Sequence, residues 1–302
     1  MRFSTALVSV VALGMLAACG DASTGSDAST TTPGPSTTFA SSPTTTVAGP
    51  SASTPKPQVQ IPASLPTELV ITDLTAGTGS AAVAGDTVVV NYVGVRSADG
   101  SEFDNSYDRG APFPVTLGVG QVIKGWDQGL LGIKTGGRRQ LDIPADLAYG
   151  NNPPSDAIKP GDALTFVIDV VTIIPKPDPN AEPAISVPPT PNQATQTFQD
   201  LIVGDGPGFE PGQTVVLMFL AFSAADGKQI DSSWESGAPL TFVPGNGQLP
   251  PGLENAVDGM KIGGRRQINI PFADAFGAEG NSQLGLPPST DLIMVLDLVA
   301  AY

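Results

Sequence analysis

Residues 136–144 read GGRRQLDIP, and at 263–271, 127 residues later, the chain reads GGRRQINIP. The same offset relates GDTVVV (85–90) to GQTVVL (212–217) and FDNSYDRGAPF (103–113) to IDSSWESGAPL (230–240). A constant spacing across all three pairs leaves no insertion over about sixty positions, and internal repetition of this kind decides the architecture before any local reading. It predicts two tandem domains of about 110 residues, each long enough for its own core. The repeats differ mainly in their aromatic and polar words. Positions that could keep a fold have stayed, and positions that could line a pocket have changed.

Within each repeat the local pattern is β-rich. Residues 87–93, TVVVNYV, form a β-branched and aromatic run, a strand signal. Ala98-Asp99-Gly100 reads as a hairpin turn with glycine supplying the positive φ. Residues 138–143 alternate polar and apolar side chains, as 164–173 do in part. One short helix is predicted over 125–133, ending near Gly136-Gly137. The second repeat predicts strands at 214–221, 265–270 and 291–300, a turn at Asp226-Gly227 and a short helix at about 252–260. Several strands and one short helix make an α+β domain with an antiparallel sheet.

The segments outside the repeats read differently. Arg2 precedes an apolar run, 6–18, too short to span a bilayer well. Leu16-Ala17-Ala18-Cys19-Gly20 resembles a bacterial lipobox, which implies a lipoprotein signal peptide at 1–18 and lipidation of Cys19. That predicts an exported protein, lipid-anchored to the outer face of the bacterial cytoplasmic membrane or cell envelope. Cys19 is the sole cysteine, so none remains for a disulfide, a thiol nucleophile or a metal site. Residues 19–60 are rich in Ser, Thr and Pro and read as a disordered tether. Seven prolines between Pro175 and Pro191 mark a stiff linker, 176–194, between domains at 66–175 and 195–302.

Charge and composition exclude several functions. The formal net charge is -15, from 14 basic and 29 acidic residues, and neither repeat has the basic face that nucleic-acid binding requires. The chain contains no histidine, which removes Ser-His-Asp triads, Cys-His pairs and histidine-based zinc sites. Nor is there a phosphate-binding loop. A reaction carried out here needs no nucleophile, metal, cofactor or histidine base.

The order of motifs then carries a resemblance. GDTVVVNYVG, FDNSYDRGAPF, VIKGWDQGL, GGRRQLDIPADLAYG and ALTFVIDVV follow one another in the first repeat. Along its whole length that repeat resembles an FKBP-type peptidyl-prolyl cis-trans isomerase, an antiparallel sheet curled around one short α-helix. The second repeat resembles a diverged member of the same fold. The resemblance implies X-Pro segments of unfolded or partly folded exported proteins as substrates, and macrolides of the tacrolimus and rapamycin type as ligands. It also implies a site. Trp126 would be the aromatic floor beneath the proline ring. Tyr92, Phe103, Phe113 and Phe166 would form the walls, with Val122, Ile123 and Ile158 on the rim. The backbone N–H of Ile123 would hold a substrate carbonyl, and the Tyr149 hydroxyl would donate a hydrogen bond. Asp104, held by Arg109 and Tyr92, would face the twisting amide.

The same carry-over places Leu253 at the position of Trp126, Ile230 at Phe103, Leu240 at Phe113 and Met294 at Phe166. Phe219 replaces Tyr92, Phe276 replaces Tyr149, Pro250 replaces Ile123, Ser236 replaces Arg109 and Leu286 matches Ile158, while Asp231 remains where Asp104 stood. Pro250 has no N–H and Phe276 no hydroxyl, so the second repeat is expected to fold with little or no activity. The competing reading makes both repeats a non-catalytic binding module or holding chaperone at the cell envelope. A hydrolase or sugar-binding protein is disfavoured by the missing histidine and by the motif order.

Overall fold

The computed structural model describes residues 55–302. The expected signal peptide, Cys19 and the expected tether up to residue 54 lie outside the described residues. In the first repeat the strands are β1 (Val70–Thr75), β2 (Thr87–Arg96), β3 (Glu102–Asn105), β4 (Phe113–Thr116), β5 (Arg138–Ile143) and β6 (Leu164–Ile174), with helix α1 at Lys124–Gly129. They form one antiparallel sheet in the order β1-β5-β6-β2-β3, with β4 also on β2. The second repeat supplies β7 (Thr197–Ile202), β8 (Val215–Ser223), β9 (Gln229–Ser232), helix α2 (Ser233–Ser236), β10 (Leu240–Phe242), helix α3 (Pro251–Glu254), β11 (Arg265–Ile270) and β12 (Leu292–Ala301). Its sheet runs β10-β8-β12-β11-β7, with β9 also on β8. The expected α+β architecture of two repeated antiparallel sheets is present. The edge strands β1 and β7, the short strands β3, β4, β9 and β10 and the short helix α2 were not foreseen, and α1 ends at Gly129 rather than at 133.

Period-two alternation decides which face of each sheet meets its helix. On β2, Val88, Val90 and Tyr92 turn towards α1 and join a core with Trp126, Leu130, Leu141, Ile143, Phe166 and Ile168. Gly125 and Gly129 lie one turn apart on α1. A Cβ at Gly125 would stand 2.5 Å from Ile143, and one at Gly129 would stand 2.7 Å from Leu141. The helix therefore lies against β5 at a distance only glycine permits, and the intervening Trp126 faces the interior.

The doubled arginines explain why GGRRQ survives in both repeats. Arg138 makes a two-pronged pair with Asp169 (2.5 and 2.8 Å), and Arg265 does the same with Asp297 (2.6 and 2.7 Å). Arg139 donates to the carbonyls of Gly129 and Leu131 at 2.8 and 2.9 Å and pairs with Asp73 on β1. Arg266 reaches Ala256, Asp258 and Asp200 in the same way. Carbonyls at a helix end lack intrahelical partners, so one guanidinium caps the helix and ties down the edge strand.

The segments flanking the domains pack against them. Lys56 pairs with Glu102 at 2.8 Å, and the carbonyl of Gln60 accepts a hydrogen bond from Gln140. Residues 55–60, read from composition as the end of a disordered tether, thus lie against the first sheet. In the Pro-rich linker, Glu182 accepts from Gln229 and Ser232, and Val187 is buried with Met218, Leu220, Phe222 and Trp234 on the back of the second sheet. Trp234 accordingly faces away from α3, and it does not replace the lost Trp126. The two domains touch through a small apolar cluster of Val89 and Ile174 with Val216 and Ala300.

Candidate active site

A β-bulge builds the site. In the pairing of β2 with β3, Gly94 faces Asp104 and Val95 faces Glu102, so Phe103 is the extra residue. A bulge sets two residues against one and re-aims side chains. Here Phe103 and Asp104, neighbours in sequence, both line one cavity of about 430 Å³. Tyr92, Phe113, Gln121, Val122, Ile123, Trp126, Tyr149 and Phe166 line the rest. That volume lies within the range of small-ligand pockets.

Trp126 is the centre of an aromatic box. Its ring centroid is 5.2 Å from Tyr92 (89° between planes), 5.2 Å from Phe166 (85°) and 6.4 Å from Phe113 (70°). Phe103 meets Phe166 edge-on at 5.6 Å and 87°. Such contacts each contribute about 0.5–1.5 kcal/mol beyond area burial, so several together fix the indole plane. The indole N–H is buried with no hydrogen-bond partner among the described residues.

Polar groups gather at one side of the box. The Tyr92 hydroxyl donates to Asp104 at 2.5 Å, and Arg109 donates both to Asp104 and, at 2.7 Å, to the Tyr92 oxygen. Burial first, and the Asp104 hydrogen bond second, push the Tyr92 phenol up to about 12. Burial, helped by the charge of Asp104, also raises Tyr149, so both hydroxyls stay protonated at neutral pH. Ile123 stands at the N-terminal cap of α1, and its N–H donates to no group among the described residues.

Most of the residues expected from sequence therefore come together. Arg109 acts from behind Asp104 rather than from the lining. Ile158, expected on the rim, is not among the lining residues; it is buried in the core that includes Trp126 and Leu164. Gln121 lines the cavity and was missed, because a polar residue before Val122-Ile123 gives no signal in the sequence.

A family model of the FKBP-type peptidyl-prolyl cis-trans isomerases matches residues 79–171 and again 206–299. The chain belongs to this family. It is 51% identical over 120 residues to an FK506-binding protein of Streptomyces anulatus, which covers 39% of this chain and 97% of that protein. It is 32% identical over 233 residues, 77% of this chain and 37% of the relative, to the peptidyl-prolyl cis-trans isomerase FKBP10 of Bos taurus. The crystal structure of FkpA from Escherichia coli is similar at 43% identity and a TM-score of 0.33, over 39% of this chain and 52% of that one.

The geometry suits the family's reaction. Rotation about an X-Pro bond faces a barrier of about 18–20 kcal/mol that arises from amide resonance. The twisted amide has lost that resonance and its charge separation. An apolar box excludes the water that favours the planar, polar form. No bond is broken, so no nucleophile is needed, and the FKBP fold assists protein folding by accelerating this one rotation.

The second FKBP repeat keeps the frame and changes the lining. The bulge recurs, with Ala221 facing Asp231 and Phe222 facing Gln229, so Ile230 is the extra residue. Leu253, Phe219, Met294 and Leu286 are buried in one core, with Ile230, Leu240 and Phe276 packed against it. Pro250 caps α3 where Ile123 caps α1. Among the described residues Asp231 accepts only from the Ser232 amide, and burial raises its carboxyl above the usual range. A cavity of about 460 Å³ in this repeat lies elsewhere, between Phe209, Pro211, Pro244, Glu254 and Met260.

Proposed function

We propose that catalysis is confined to the first repeat, and that the protein works outside the cytoplasm, tethered by a lipid on Cys19. The observation that carries the first part is the set of polar groups facing the box. The free N–H of Ile123, the Tyr149 hydroxyl and the clamped Asp104 surround Trp126 in one repeat. The other repeat offers Pro250, Phe276 and an unclamped Asp231 around Leu253. X-Pro segments of exported, incompletely folded proteins are the substrates, and X-Pro isomerisation is slow enough to limit their folding. Macrolides of the tacrolimus and rapamycin type occupy the first cavity, in keeping with the FK506-binding names of the relatives. The signal-like segment and the lipobox motif support the anchored location.

The test is cis-to-trans isomerisation of a proline tetrapeptide by the chain from residue 55 onward, with Trp126→Leu alongside. Acceleration by the first and none by the second supports a single working site. Full acceleration by Trp126→Leu places activity in the second repeat and overturns the assignment. Equal absence from both, with intact folding, leaves the binding-module reading. For the anchor, fatty-acid labelling of the full chain in a bacterial host must disappear in Cys19→Ser.

A further inference from the structure

One residue paired with two members of the cavity lining has no side chain. Gly94 on β2 faces Asp104 on β3 and Phe166 on β6. Directly paired residues on neighbouring antiparallel strands project to the same face, so a side chain at position 94 would enter the box from below. An ideal Cβ there stands 2.7 Å from Phe166 Cε1 and 2.8 Å from Phe103 Cζ. Both distances are below van der Waals contact, and the ring edges cannot yield independently. Phe166 is 4% exposed and already touches Trp126 edge-on at 5.2 Å and Phe103 at 5.6 Å. A shift of Phe166 therefore moves the floor as well as the wall. The glycine is not required by φ, because position 94 has no left-handed backbone; it is required by what stands over it.

The second repeat has changed all three members of this contact. Ala221 occupies the position of Gly94 and pairs with Asp231 and Met294, while Ile230 stands where Phe103 stood. A methyl group has appeared where two flat rings have given way to aliphatic side chains. The exchange is what close packing demands, because a ring edge and a methyl cannot share the space.

We propose that Gly94 is a positioning residue for isomerisation: the empty space above it allows Phe103 and Phe166 to stand edge to face, and that wall holds Trp126 in the plane that receives the proline ring. Gly94 touches no substrate and acts through the two phenylalanines. The inference presupposes the activity of the first repeat and is independent of whether the second is active.

A double-mutant cycle in the full chain tests it. Gly94→Ala, Phe103→Leu and the pair together are compared by kcat/KM on a proline tetrapeptide, with thermal melts confirming folding at the assay temperature. Gly94→Ala is expected to lose at least tenfold in kcat/KM. Phe103→Leu removes one of the two ring contacts that the methyl would meet, the one at 2.8 Å, so the double variant is expected to lose less than the product of the two single losses. A loss under twofold in Gly94→Ala, or losses that simply multiply, overturns the proposal. A purely destabilising methyl would lower both melting temperatures without producing coupling in the rate. Should Gly94→Ala fail to fold, the double variant must fold and retain the activity of Phe103→Leu; failure of both to fold also overturns it. An inactive wild type would instead sink the isomerase reading itself, which separates the two outcomes.

Discussion

Tyr92 donates its phenolic hydrogen to Asp104 across 2.5 Å, and the two residues sit on adjacent strands with Arg109 bridging their oxygens. The carboxylate is thereby held at the cavity wall. Arg109 and Asp104 are both substantially exposed, at 47% and 43%, and exposed pairs contribute about 0–1 kcal/mol to stability. The clamp is therefore worth more to orientation than to folding.

Arg109→Ser, the residue found at the matching position of the second repeat, separates those two contributions. The expected melting-temperature shift is at most about 4 °C, because a surface pair of this kind adds under 1 kcal/mol. The expected fall in kcat/KM is about fivefold to tenfold, equivalent to about 1–1.4 kcal/mol of lost transition-state stabilisation. Steady-state kinetics and a thermal melt on one preparation decide it. A large stability loss with unchanged kinetics would reverse the assignment of roles.

Trp126→Leu copies the second repeat at the floor of the box. The smaller side chain leaves a void beneath an existing cavity and removes three edge-on aromatic contacts. A cost of about 1–3 kcal/mol in stability follows from large-to-small replacement in a core. The activity loss is expected to exceed tenfold, beyond about 1.4 kcal/mol in the barrier, since the proline ring loses its platform. Chemical denaturation and the tetrapeptide assay measure the two effects separately.

These residues also show where sequence reasoning reached and where it stopped. Trp126 was legible because VIKGWDQGL resembles the family's motif, and the strands at 87–93 and 138–143 were legible from β-branched runs and alternation. Gly94 was not. Its constraint is a contact with rings on β3 and β6, and the Phe166 partner lies far along the chain, so no local pattern encodes it. Ile158 was expected on the rim from motif position, yet it is buried in the core that includes Trp126 and Leu164. The linker's docking was hidden for a related reason. Seven prolines signal stiffness, but only the back of the second sheet, where Met218, Leu220 and Phe222 pack in one cluster with Val187, explains why Val187 is apolar.

Arg139 and Arg266 offer a test in which the two repeats must behave alike. Each caps a helix end and pairs with an aspartate on an edge strand. Replacing either by leucine strands buried carbonyls without donors, at a cost of about 1–3 kcal/mol. Arg139→Leu should lower the stability of the first repeat and Arg266→Leu that of the second, by similar amounts. Hydrogen exchange resolved by segment reads each repeat separately. The isomerase rate should follow Arg139→Leu alone, and only near the unfolding transition. Unequal costs would mean that the shared GGRRQ motif serves different purposes in the two repeats.

Asp231 gives the pH-dependent case. Its carboxyl is half-buried, Phe219 and Ser236 at the positions of Tyr92 and Arg109 supply neither the phenol nor the guanidinium that Asp104 has, and burial raises it above the ordinary carboxylate range. A raised acid prefers its proton in the folded state, so its contribution is favourable at low pH and is lost as pH rises through the folded value. At neutral pH the ionised group therefore costs stability. Asp231→Asn keeps an acceptor for the Ser232 amide and removes the charge, so it should raise the second repeat's melting temperature at pH 7. The gain should shrink towards about pH 3.5, where the unfolded carboxylate is itself largely protonated. The same exchange at Asp104 should bring no gain, because it takes away the partner of Arg109 and Tyr92. Melts of both variants against the parent across pH 3.5–7 decide the matter, and a gain from Asp231→Asn that is independent of pH would show that the charge is not the cause.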